Sequence, residues 1–123
     1  MTTTQRILIA EDEHPVAKAL ELKLSHSGFT VVIAKNGEEA LQALEKEKYD
    51  LLILDLMMPK VDGFGVLEAM SKQANHTPVI VASNLSQIED IDRAKRLGAK
   101  DYYIKSDTPL SSIVQKIQGL LLA

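Results

Sequence analysis

Several side chains able to hold a cation or a phosphoryl group stand directly after apolar runs in this sequence. Glu11, Asp12 and Glu13 follow "RILIA", Asp55 follows "LLIL", Ser83 and Asn84 follow "PVIVA", and Lys105 follows "DYYI". A short apolar run bounded by turn signals reads as a buried strand. In an open parallel sheet, ligands bind just beyond the carboxyl ends of the strands. Gathered on one rim, Glu11, Asp12 and Asp55 would repel one another and require a cation. All-oxygen donors suit Mg2+ or Mn2+ rather than zinc. A carboxylate is also a nucleophile that can form an aspartyl phosphate. The oxygens of a phosphoryl group on Asp55 would need neutralising, and the metal, the Lys105 ammonium and the Ser83 hydroxyl are suitable donors. Each residue alone has an ordinary explanation: a helix cap, a loop hydroxyl, a solvated lysine. Their occurrence together at the ends of different strands favours the functional one.

The elements that must position these residues alternate along the chain. Strands are expected over 6–10, 30–34, 51–54, 78–82 and 101–104. The first helix is opened by Pro15, closed by Gly28, and carries Val16, Leu20 and Leu24 at helical spacing. The second starts from Asn36 as N-cap, with Glu39 as its capping-box partner. The third puts Phe64, Leu67 and Met70 on one face. The fourth repeats the capping box with Ser86 and Glu89, turns Ile88 and Ile91 inward, and ends at Gly98. The fifth takes Thr108 as cap and Pro109 as its first residue, with an apolar stripe of Leu110, Ile113, Val114, Ile117 and Leu121. Strand and helix alternating in this way predict an α/β fold, a parallel sheet with helices on both faces, because each crossover is right-handed and carries a helix.

The bulk numbers are consistent with that. A chain of 123 residues suits one compact domain over 1–123, and 46% hydrophobic residues supply a core. A net charge of -3 does not favour direct nucleic-acid binding. The absence of cysteine excludes disulfides and thiolate metal sites. "MTTTQR" has no apolar stretch of the signal-peptide kind, and no run approaches a membrane span. The expectation is a soluble cytoplasmic domain without a membrane partner. His14, His26 and His76 are scattered and read as bystanders, "EKEK" (45–48) as a solvated helix face, and Met57 and Met58 as loop packing. The tail "GLLLA" has more leucine than one helix face needs, which leaves room for a partner contact.

The motifs "ILIAEDE", "LLILDLMMPKVDGFGVL", "PVIVASN" and "GAKDYYIK", in this order and spacing, resemble the receiver domain of two-component response regulators, of the stand-alone chemotaxis-regulator type. The resemblance runs from Arg6 through the fifth helix. It implies a doubly wound (βα)5, flavodoxin-like three-layer sandwich with strand order 2-1-3-4-5. It implies that Asp55 accepts a phosphoryl group from a sensor histidine kinase or phosphotransfer protein. Asp12, Asp55 and the backbone carbonyl of Met57 would ligate Mg2+, with Glu11 holding it through water. Ser83 stands at the switch hydroxyl, Tyr102 at the aromatic that swings with it, and Lys105 at the family's lysine. Such a domain is a regulator that catalyses only its own phosphorylation and dephosphorylation. It would meet a downstream protein, or a second copy when phosphorylated, through the face made by the fourth helix, fifth strand and fifth helix.

Two positions depart from the family pattern. Ser106 follows Lys105 where proline is usual, which predicts a trans peptide there. Asn84 follows Ser83 where a small residue is usual; it would crowd a phosphoryl group, or donate to it. A pseudo-receiver acting as a constitutive interaction domain is the alternative, disfavoured by the presence of Asp12, Asp55 and Lys105 together. A nucleotide-binding protein would need a Gly-rich first turn, and "AEDEHPVAK" has none. An Asp-x-Asp phosphatase would need an acid where Met57 sits.

Overall fold

The computed structural model describes residues 4–122. In chain order the elements are β1 (Arg6–Ala10), α1 (His14–His26), β2 (Thr30–Ala34), α2 (Gly37–Lys46), β3 (Leu51–Leu54), α3 (Gly63–Lys72), β4 (Val79–Ser83), α4 (Ile88–Arg96), β5 (Asp101–Ile104) and α5 (Leu110–Leu121). The strands form one parallel sheet of order β2-β1-β3-β4-β5. This is the predicted three-layer, flavodoxin-like arrangement.

Alternation along the central strands decides which helix covers which face. Leu8, Leu52, Leu54, Val79 and Val81 point to one side, onto Ala40 and Leu44 of α2, Phe64, Leu67 and Met70 of α3, and Ala94 of α4. Ile7, Ile9, Leu51, Ile53 and Ile80 point to the other, onto Ala17, Leu20 and Leu24 of α1 and Ile113, Val114 and Ile117 of α5. β3 lies at the centre and is buried along its whole length, which is why its sequence is a continuous apolar run. Burying side chains of this size is worth about 1.5–3 kcal/mol each, enough to hold the strand ends rigidly. No helix among the described residues is long and apolar enough to cross a membrane.

The helix starts differ in part from the sequence reading. Asn36 caps α2 as expected, its Oδ1 accepting from the Glu39 N–H at 2.9 Å, and Glu39 reaches back to the Lys35 N–H. Asp62 does the same job for α3, accepting from the Gly65 N–H at 2.8 Å. α1 starts one residue before Pro15, at His14. The second capping box does not form: α4 begins after Gln87 without a side-chain cap, and Ile88 is 72% exposed rather than turned inward. β4 runs one residue later than expected, so Ser83 is its last residue. Pro109 itself occupies the cap position of α5, and the preceding Lys105–Asp107 segment forms a 3-10 turn that includes neither Thr108 nor Pro109. Val16 is only half-buried, and Ala17 takes the inward place beside Leu20 and Leu24.

Candidate functional site at the carboxyl edge of the sheet

The register carries the site residues to one edge. Ala10 pairs with Leu54, so Glu11 and Asp55 leave adjacent strands side by side, and the Asp55 N–H donates to the Ala10 carbonyl at 3.0 Å. On the other side Ser83 pairs with Ile104, so Asn84 leaves the sheet beside Lys105. Behind Asp55 the loop closes tightly, with the Gly63 N–H donating to the Leu56 carbonyl at 3.1 Å. A Cβ at Gly63 would stand 2.5 Å from the Asp55 carbonyl oxygen, so only glycine lets the start of α3 lie against this loop.

Asp55 and Glu11 are both buried, at 4% exposure each, and Asp12 is exposed. The Lys105 ammonium bridges the two buried acids, 2.7 Å from Glu11 Oε1 and 3.0 Å from Asp55 Oδ2. Each acid has a backbone donor as well: the Met57 N–H reaches Asp55 Oδ1 at 3.1 Å, and the Glu13 N–H reaches Glu11 Oε2 at 3.1 Å. Glu11, Asp12 and Asp55 each offer a carboxylate oxygen, all within 4.8 Å of one another.

One ammonium against three carboxylates leaves the cluster with excess negative charge. Burial pushes the Glu11 carboxyl up to about 7, and the charge of Asp55 adds to this, while the hydrogen bond from Lys105 opposes it. Burial alone would lower the Lys105 pKa; the hydrogen bonds to Glu11 and Asp55 outweigh it and hold the ammonium above its ordinary value. The donor set is therefore all oxygen, preassembled, partly buried and short of positive charge. It fits a hard divalent cation such as Mg2+ or Mn2+.

Ser83 is fully buried, and its Oγ accepts from the Leu85 N–H at 3.4 Å. Tyr102 packs against the core on the α2–α4 side, and its hydroxyl donates to the Leu85 carbonyl at 2.6 Å. Its pKa is raised, by burial first and by the charge of Asp90 next. Asn84 Oδ1 accepts from the Ser106 N–H at 2.9 Å. There is no cis peptide among the described residues, so the Lys105–Ser106 bond is trans. Met58 is buried in loop packing, whereas the Met57 side chain is 56% exposed.

The structure thus brings together all of Glu11, Asp12, Asp55, Ser83 and Lys105 on the predicted edge. Two contacts had no sequence signal beyond a shared edge: the direct Glu11–Lys105 ion pair, and the bond between Asn84 and Ser106. The three histidines are exposed and outside the cluster.

The family model for the response regulator receiver domain matches residues 7–118. Among curated proteins, the chain is 40% identical over 109 residues to a probable transcriptional regulator, ycf27, of Guillardia theta, covering 89% of this chain and 42% of that protein. It is 34% identical over 117 residues to the transcriptional regulatory protein PcoR of Escherichia coli, covering 95% of this chain and 51% of that one. The chain therefore spans about half the length of these curated relatives. Among solved structures, the receiver domain of Francisella response regulator 1452 has a TM-score of 0.89 at 29% identity, covering 95% of this chain and 96% of that one. The response regulator TrrA of Thermotoga maritima, solved in complex with Mg(2+)-BeF, has a TM-score of 0.83 at 30% identity, covering 96% of this chain and 100% of that one.

Proposed function

Because the chain belongs to the response regulator receiver domain family, a regulatory family of two-component signalling, we propose that it is a phosphorylation-controlled switch with Asp55 as phosphoacceptor and residues 1–123 as one receiver unit. The observation that carries this reading is the Lys105 ammonium held between Asp55 and Glu11, beside Asp12, at the end of the central strand. A cation bound there would neutralise charge on the transferring phosphoryl group. Asp12, Asp55 and the Met57 carbonyl would hold it, and Glu11 would reach it through water.

The chain's own groups do the rest. An Asp55 carboxylate oxygen forms the new bond to phosphorus as the bond to the donor's leaving group breaks. The rigid strand keeps that oxygen in place, and the Met57 N–H fixes its partner. Lys105, already on Asp55 Oδ2, turns to a phosphoryl oxygen. The Ser83 hydroxyl is the remaining donor. Its movement toward the phosphoryl group would disturb the Leu85 backbone, to which Tyr102 is bonded, and so shift the population of the face formed by α4, β5 and α5. The donor is a sensor histidine kinase or phosphotransfer protein. The reader of the altered face is a downstream protein or a second phosphorylated copy.

The test is intact mass after incubation with acetyl phosphate. Wild type should gain one phosphoryl group with Mg2+ and none without it, and Asp55→Asn should gain none. Stoichiometric labelling of Asp55→Asn, or no labelling of wild type, would refute the assignment.

A further inference from the structure

Asn84 and Ser106 each follow a site residue, Ser83 and Lys105, and the Asn84 side chain crosses between the two loops. The Lys105–Asp107 turn needs that contact. The first N–H groups of any helical turn have no partner inside it. This turn has only three residues, and its own cap position, Ile104, offers no side-chain acceptor. The bond that closes it, from the Thr108 N–H to the Lys105 carbonyl, is stretched to 3.5 Å. Asn84 Oδ1, at 2.9 Å from the Ser106 nitrogen, supplies from the neighbouring loop the cap the turn lacks.

The residue at the head of that turn is Lys105. Its ammonium is a compact charge on a flexible four-carbon stem. Whether it reaches Glu11 and Asp55 together depends on where its backbone is held. The β4 end of the same link is equally constrained. Asn84 sits between Ser83 and Leu85, whose N–H donates to Ser83 Oγ and whose carbonyl accepts from Tyr102. A continuous set of bonds therefore runs from Tyr102 through the 83–85 loop and the Asn84 side chain to the lysine turn.

We propose that Asn84 is a positioning residue for Lys105: its carboxamide caps the lysine turn, and the same bond ties the Ser83 loop to Lys105. The geometry stands on its own contacts; the consequence for phosphoryl transfer rests on the function proposed above.

The test uses the whole chain as wild type, Asn84→Ala, Asn84→Leu and Asn84→Asp. Alanine and leucine remove the acceptor, the second at nearly constant size, while aspartate keeps it. Asn84 is exposed, so all four should fold. The first readout is trace acetylation by acetic anhydride, mapped by peptide mass, with exposed Lys72 and Lys116 as internal references. The Lys105 side chain is only 13% exposed and should be protected in wild type. Loss of one hydrogen bond should speed its labelling by roughly two- to tenfold in the alanine and leucine variants, leave Lys72 and Lys116 unchanged, and leave aspartate close to wild type. The second readout is the rate of phosphoryl uptake from acetyl phosphate with Mg2+, which should fall by a similar factor in the leucine variant, where the acceptor is lost and the bulk beside the site is kept. Equal Lys105 labelling in all four proteins would overturn the proposal, as would aspartate behaving like alanine. Unchanged uptake in a leucine variant with an unprotected Lys105 would overturn its bearing on the reaction. Absence of uptake by wild type would instead strike the proposed function, while the lysine labelling still decides the role of Asn84.

Discussion

On the proposal that Asp55 carries a phosphate, Met57 and Leu85, two residues beyond Asp55 and Ser83, are expected to border the approach of an attacking water. The Met57 N–H is bonded to Asp55 Oδ1 and the Leu85 N–H to Ser83 Oγ, so both residues are tethered to groups that would flank the phosphoryl group. Neither a thioether nor an isobutyl group orients a water. The phosphorylated state should therefore be long-lived, and Met57→Asn combined with Leu85→Glu should hasten its loss, by about tenfold for each 1.4 kcal/mol the oriented water recovers. An unchanged or slower dephosphorylation rate in that variant would contradict the account. The acids themselves should separate in kind. Glu11 is already engaged by Lys105 and the Glu13 N–H, whereas Asp12 is exposed beside them. Asp12→Asn should weaken Mg2+ binding by calorimetry more than Glu11→Gln, and equal affinities for wild type and Asp12→Asn would remove Asp12 from the ligand set. At this scale the sequence was informative about residue types and edges, because a strand end fixes where a side chain starts. It was silent on the Glu11–Lys105 and Asn84–Ser106 contacts, because those depend on how two loops approach after leaving the sheet.

Among the helices, α4 is the weakly anchored one, with Ala94 as its single buried residue. What holds it to α3 is Arg93, whose guanidinium lies 4.1 Å from the Phe64 ring centroid and 3.2 Å from Glu68 Oε1. An exposed cation–π contact is worth about 0.5–1 kcal/mol and a solvated ion pair about 0.2–1. Arg93→Ala removes both and should therefore cost about 0.7–2 kcal/mol in global unfolding, and raise amide exchange across α4 selectively. A uniform increase over all helices, or none in α4, would show that Arg93 is not the clamp. The contrast between β3 and α4 explains what was legible. Leu51 to Leu54 could be placed because a strand covered on both faces must be apolar throughout. Ile88 was misplaced because helical spacing gives a face without saying whether a neighbour covers it, and Ser86 because a capping box needs the helix to start one residue earlier than it does. The shift at α5 has a similar origin: the 3-10 turn at Lys105–Asp107 displaces the start that Thr108 and Pro109 signal.

At the scale of the whole molecule, the acidic edge couples folding to protons and, on the proposed function, would couple it to the cation. Glu11 titrates at about 7 in the folded domain, chiefly because it is buried, against a reference value of 4.5. Between those values the folded chain keeps a proton that the unfolded chain has released. Stability from this group is thus fully present below about 4.5 and is lost as pH rises through about 7. At 1.36 kcal/mol per unit, the loss is on the order of 3 kcal/mol, a large part of a small domain's stability. A dication beside Glu11, even through water, favours its ionised form, so binding below about pH 7 should expel the proton from Glu11. Mg2+ affinity should then climb with pH by up to about tenfold per unit until about pH 7 and level off above it. Metal-free unfolding free energy should move the opposite way, falling from about pH 5 to about pH 8, and excess Mg2+ should restore most of the difference at the upper end by mass action. Glu11→Gln should flatten both curves, because an amide neither holds nor releases the proton. Calorimetry in two buffers of different ionisation enthalpy measures the proton release directly. A Mg2+ affinity independent of pH from about 5.5 to about 7.5 in wild type, or the same slope in Glu11→Gln, would show that Glu11 is not the group through which the site senses pH.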